Sequence, residues 1–494
     1  MAENRMLARE STTLDDRAWW PRYPWLTPRR VLIGTLGWIG LYAIGSVALA
    51  NPFFTERSAG ASINYWNTMY LHGMLIGMVA VGVLLGMLVF EIRSRHAWLL
   101  IPAGVITATV FATVGGIFDR TEAPTEAGMW TQVVGFFALD EILAVAIVAF
   151  MIDWFARTQA SRRLSFAVAW LSTMSMLIAA VMGHLAGWIL SYGAHPWYIP
   201  GYARFIGEPV PALLSNLVGS HSHEMAVAFM AFIACAGVAQ FAERSPVARG
   251  AMVRRAGLAV LGIGVVAFTA VYVIAGFTTW AIPTLFTSAN GANGLAADDL
   301  VTGCALVGGL IALMGAAVPQ IGRHRSMPAI SAAWTALLSV GLVVATGYWI
   351  EFHETHFGAG DPKAAGAAAD AVFTWFHQDI GLFLLPLMTA VMVLTARLVV
   401  RGRQNAVALA AIGGSSILFA AGMIYVFVTS AIHGPGFVVA TIGLICTGGA
   451  LVASMWWSHG RRMVAAHREH KPDQGRDQGQ GQLPEHRPLA TSTR

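Results

Sequence analysis

An apolar run of about twenty residues can be buried in a large core or in membrane hydrocarbon, and this chain has such runs in close succession. A helix rises about 1.5 Å per residue, so about 20 residues match a hydrocarbon layer of about 30 Å. Twelve runs of that length fall at approximately 31–50, 66–92, 98–118, 129–155, 164–192, 213–241, 256–282, 300–322, 328–352, 372–398, 405–430 and 434–458. Charged residues make up only 12% of the chain, against about 25% in soluble domains, and the mean hydropathy is +0.61. The pattern predicts an all-α integral membrane protein with twelve transmembrane helices. A cytoplasmic segment over 1–30 precedes a membrane domain over 31–462, and a polar tail over 463–494 is expected to be disordered. The charged, Trp- and Pro-containing start does not read as a cleavable signal peptide.

The arginines give the orientation. They gather before run 1 (Arg5, Arg9, Arg17, Arg22, Arg29, Arg30) and after the even-numbered runs, as in Arg93 and Arg95, Arg254 and Arg255, or Arg401 and Arg403. The intervening loops hold only Arg57, Arg120, Arg204 and Lys363. The positive-inside rule then predicts both termini in the cytoplasm. Spread over short loops, the net charge of +5 gives no nucleic-acid surface. The three cysteines, Cys235, Cys304 and Cys446, lie in separate runs without a CxxC, which argues against c-type haem attachment and zinc-thiolate sites.

The histidines are one-sided. Of fifteen, six lie in cytoplasmic loops or the tail. The other nine (His72, His184, His195, His221, His223, His353, His356, His377 and His433) all fall in the outer half of the membrane or in outer loops in that orientation. Imidazole is the commonest biological metal ligand, and a band of it at one depth points to haem or metal ions held between helices.

The stretch His221-Ser-His223-Glu224 is the densest part of the band. Residues two apart on a helix point about 200° apart, so its histidines serve two different sides rather than one ion. An ionisable group at membrane depth is costly and marks a functional site by default; the competing reading is a polar helix end among lipid headgroups. His72 opens run 2 and His377 opens run 10, at steps of about 150 residues, or four runs, either side of the HSHE stretch. This layout reads as three pseudo-repeated four-helix units, each with histidine at the same depth of its second helix.

Further candidates surround these. His184 and His195 lie at and beyond the end of run 5, and His353 and His356, three apart, share a helix face on which they could ligate one ion. The competing reading for the pair is an aromatic belt with Trp349 and Phe352. Asp140 and Glu141 lie mid-run, and Glu224 and Asp379 closely follow the site histidines. Such carboxylates orient imidazoles or line a proton path.

Twelve helices in three fours, with histidines near the outer ends of helices 2, 6 and 10, resemble the haem–copper oxidase superfamily, which includes cytochrome oxidase subunit I and the catalytic subunit of nitric-oxide reductase. The resemblance covers about residues 31–458. It implies b-type haem, one or two groups, with His72 in the helix 2 ligand position and His377 in the helix 10 position. It also implies copper or non-haem iron, a periplasmic electron carrier or quinol as donor, a small partner subunit, and the bacterial cytoplasmic membrane.

This chain departs from that pattern. Its HxH stands on helix 6 instead of helix 10, run 7 contains no histidine, and the tyrosine-bearing HPEVY-type stretch is absent. These departures put the second metal in doubt and imply a rearranged or incomplete binuclear site. His221-Ser-His223-Glu224-Met225 is also similar to the HxHEM stretch of NnrS-type haem–copper membrane proteins linked to nitric-oxide stress. The sequence therefore predicts a membrane haem oxidoreductase. A non-catalytic haem or copper sensor or assembly protein, and a proton-coupled transporter, are the alternatives.

Overall fold

The computed structural model describes residues 23, 26–50, 65–118, 126–156, 163–192, 210–243, 250–278, 284–285, 295–320, 326–357, 385–398 and 401–428. Within them lie eleven α-helices: α1 (Pro28–Ala50), α2 (Tyr65–Val89), α3 (Ala97–Phe118), α4 (Glu126–Ala156), α5 (Arg163–Tyr192), α6 (Val210–Val238), α7 (Ala251–Thr278), α8 (Ala297–Ala317), α9 (Ser326–Phe357), α10 (Leu385–Leu398) and α11 (Arg401–Val428). Their order follows the apolar runs 1 to 11; run 12 and the polar tail lie outside the described residues. Helix is the expected form, because hydrocarbon offers no partner for a backbone group and a helix satisfies its own. Among the described residues, five helical segments are long and apolar enough to cross a membrane: Leu164–Ala186, Asn216–Ala242, Ala251–Thr278, Leu300–Gln320 and Met327–Val344. A two-residue antiparallel ladder, β1 (Thr284–Leu285) with β2 (Leu295–Ala296), lies in the connection between α7 and α8.

α6 is the central helix. It packs against α2, α5, α7, α8 and α10. Its most apolar window is 94% buried, against 39% for α7. Small residues allow the close approaches, as expected where lipid competes for every apolar face. On α2, a Cβ at Gly82 would run into the Phe229 ring of α6, and one at Gly86 into the Phe232 ring. These pairs advance together, so α2 and α6 run parallel. α7 and α8 come close enough for backbone contact: a Cβ at Gly257 would lie 2.5 Å from the Ala312 nitrogen, and one at Gly264 would lie 2.8 Å from the Ala305 Cα.

The turn after α2 is tied down by specific bonds. Glu91 takes φ 57° and the Ile92 N–H donates to the Met87 carbonyl at 2.8 Å, which closes the helix C-terminus. The Arg93 N–H donates to Asp153 Oδ2 near the end of α4 at 3.0 Å, and Trp98 Nε1 donates to the Ile92 carbonyl at 3.1 Å. α6 ends in a π turn over Ala239–Glu243.

Candidate functional site

The HSHE stretch lies about three turns into α6, and its two histidines face different neighbours. His221 points at α5. Its Nδ1 lies 2.7 Å from the Ala179 carbonyl oxygen. A carbonyl only accepts, so Nδ1 carries a proton. The residue four positions on from that carbonyl is Gly183, where a Cβ would run into His221 Nδ1 and Cε1. Glycine at this position is what lets the imidazole reach the carbonyl of a continuous helix.

His223 points at α7. Its Nδ1 lies 2.9 Å from the Gly219 carbonyl one turn back on its own helix, which assigns the same tautomer. Its ring stacks on Tyr272 of α7, with centroids 6.0 Å apart and planes 25° apart. The Tyr272 hydroxyl reaches Thr302 Oγ1 of α8 at 3.3 Å. A ring stack and then a hydrogen bond therefore link α6 through α7 to α8.

Glu224 is fully buried. Ser175 Oγ of α5 donates to its Oε1 at 2.9 Å, and Thr269 Oγ1 of α7 lies 2.7 Å from Ser175 Oγ. Either hydroxyl of the Ser175–Thr269 pair can donate to the other. Glu224 Oε2 has no hydrogen-bond partner among the described residues. His221 and Glu224 are three apart, so they share the α5 side of α6.

His184 and Asp140 form a second group. His184 of α5 is buried, with Nδ1 3.8 Å from Asp140 Oδ2 of α4 and its ring centroid 4.2 Å from that of Phe137. It turns to α4, away from the HSHE stretch that its neighbour Gly183 faces. Glu141 is exposed on α4.

The helix register fixes the level of His72. Its side chain is outside the described atoms, but its backbone lies in α2. Counting back from the Gly82–Phe229 and Gly86–Phe232 contacts brings position 72 level with position 218 or 219 on the parallel α6, about 3–5 Å along the axis from His221. His353 and His356 lie in the last turns of α9, with their side chains outside the described atoms. His195, His377, Asp379 and His433 lie outside the described residues.

Reading the sequence alone missed Ser175, Thr269, Tyr272 and Gly183. Serines and threonines are common inside membrane helices, and Ser172 and Thr173 beside Ser175 simply bond back to their own helix at 2.8 and 2.9 Å. Only the neighbouring helix distinguishes Ser175 from them.

The donor set fits a haem iron, which takes axial nitrogen from neutral imidazole. Both rings of the HSHE stretch donate Nδ1–H to a carbonyl, the second bond that usually orients a metal-ligating histidine. A copper or non-haem iron held by three or more protein ligands is different. Among the described residues no group of three or more His, Cys, Asp or Glu side chains gathers to hold one. No family model, curated protein or solved structure matches the chain.

Proposed function

We propose that this chain is a haem-binding oxidoreductase of the bacterial cytoplasmic membrane. It has twelve spanning helices in three four-helix units, both termini cytoplasmic, and its haem ligands drawn from the second helix of each unit. One observation carries the reading: α6 turns one imidazole toward α5 and another toward α7, each with Nδ1–H on a carbonyl, and position 72 on the parallel α2 lies within about 3–5 Å of the level of His221.

In this reading His72, His221, His223 and His377 are the ligand candidates. Haem, when bound, supplies one-electron chemistry and an iron open to a small gas. The protein's part is orientation. The Ala179 and Gly219 carbonyls fix the two tautomers, and Tyr272 holds the plane of His223. Glu224, Ser175 and Thr269 supply a polar chain across α5, α6 and α7 within the apolar bundle. The electron donor is a periplasmic carrier or a quinol, and a small subunit and lipid are the remaining partners. His184, His195, His353 and His356 are the reserve ligands for copper or non-haem iron.

A second reading has its own support. The sequence of α7 contains no histidine, so this helix adds no ligand to a second metal beside α6. A haem sensor or assembly protein without turnover needs none.

The test is a dithionite-reduced minus oxidised visible spectrum of the purified, detergent-solubilised chain, with iron and copper analysis of the same sample. A sharp reduced α band is expected, weakened or shifted in His72→Ala, His223→Ala and His377→Ala. Copper or iron in excess of haem would favour the oxidoreductase over the sensor. A folded, reconstituted protein with no haem band would remove both readings.

A further inference from the structure

α4 packs on one side against α2, α3 and α5. Its other side is exposed, and the exposed positions repeat at alternating steps of four and three: Phe137, Glu141, Ala144, Val148, Met151 and Phe155. An average step of 3.5 residues is the spacing at which two helices pack side by side in a left-handed coil, the commonest geometry in membrane bundles. A helix that merely faces lipid also exposes a stripe of this kind, and it is Glu141 that sets this one apart.

Glu141 lies fifteen residues from each end of α4 (Glu126–Ala156), about 22 Å along the axis from either. In the twelve-span reading it stands at the middle of the hydrocarbon. Acidic side chains inside a membrane span face the bundle interior or pair with another group, because a carboxyl group in lipid is costly. The neighbouring Asp140 obeys this and turns to His184, whereas Glu141 points out of the bundle.

Charge selects what covers it. No Lys or Arg anywhere in the chain lies within one of the twelve apolar runs, apart from Arg397 next to the end of run 10. Run 12, over 434–458, contains neither residue. The chain therefore has no cation of its own to bring to Glu141 at mid-membrane depth. A second copy has none either, and α4 against α4 would set carboxyl against carboxyl.

We propose that this face of α4 docks a transmembrane helix of another protein chain, one that carries a Lys or Arg midway along its span. Ala144, one turn from Glu141, leaves room for the long basic side chain, and Phe137, Val148 and Phe155 supply the apolar contacts. A single polar position in an apolar seam fixes the register of the two helices. The inference names the surface and the chemistry for the small subunit of the reading above. It rests on α4 spanning the membrane, as that reading has it, and not on haem.

The experiment uses the full chain in lipid nanodiscs with a photo-crosslinker, Val148→p-benzoylphenylalanine, in the seam. Two probe peptides are compared, Leu/Ala helices of about 25 residues with either Lys or Leu at the centre. A crosslinker placed instead at Ile263 of α7, 71% exposed, reports chance collisions in the bilayer. The Lys peptide is expected to label position 148 about tenfold more than the Leu peptide, the size of one polar contact between membrane helices. Position 263 is expected to show no preference, and Glu141→Gln to abolish the preference at 148. Equal labelling by the two peptides at 148, or a preference that survives Glu141→Gln, overturns the docking face. So does a crosslink from 148 to residues 434–458 or to a second copy in place of the Lys peptide. Without peptide, position 148 is expected to label lipid; no lipid adduct removes both the span of α4 and the docking face. A Lys-peptide preference in a protein without a haem band keeps the docking face and removes the haem reading.

Discussion

Replacing Gly183 by alanine is expected to dislodge His221 through sterics alone. The added Cβ falls within the His221 ring, with His221 Cγ 2.9 Å away and Nδ1 and Cε1 closer still, so the imidazole must swing off α5. The swing breaks the 2.7 Å bond to the Ala179 carbonyl and leaves Nδ1–H without that acceptor, which costs about 1–3 kcal/mol. Alanine in place of glycine in a helix interior returns about 1 kcal/mol. The single variant is therefore expected to be destabilised by about 1 kcal/mol net. In a His221→Ala background there is no ring to displace, and the same substitution should stabilise by up to about 1 kcal/mol. The sign reverses, and a double-mutant cycle on thermal unfolding in detergent measures it. If haem is bound through His221, the reduced band also shifts in Gly183→Ala. Equal effects of Gly183→Ala in both backgrounds would refute the contact and, with it, the tautomer assigned to His221.

Other perturbations test the frame around the site. Ser175→Ala removes the hydroxyl donor to the buried Glu224 carboxyl and is expected to cost about 1–3 kcal/mol, with Glu224→Leu in that background recovering part of it in the same melt. Gly264→Val forces α7 away from the Ala305 backbone and should cost about 1–3 kcal/mol, whereas Gly303→Ala, with no atom within 4 Å of its Cβ, is the unhindered control and should stabilise by up to about 1 kcal/mol. Glu91→Gly relieves a left-handed residue at the end of α2, a gain of roughly 1–2 kcal/mol reduced by the freer unfolded chain, so unfolding should be unchanged or slightly later.

Some of this molecule is set by local physics and is legible along the chain. Backbone groups in hydrocarbon must find partners within the protein, and apolar runs of about 20 residues suit helices, which bond within their own segment; α1 to α11 follow the first eleven runs in order. The 100° step of a helix likewise required His221 and His223 to face different neighbours. What each histidine meets was not legible. That Ala179 and Gly183 receive His221, and Tyr272 receives His223, depends on which helices stand on either side of α6 and at what register. The same holds for Ser175, which reads like Ser172 until Glu224 is placed opposite it. It holds too for the level of His72, which follows from glycines at 82 and 86 seating two phenylalanines of a helix about 150 positions away. A hydropathy pattern specifies that an apolar face will be covered. Small residues, ring shapes and hydroxyl positions decide what covers it, and those choices exist only once the helices have packed.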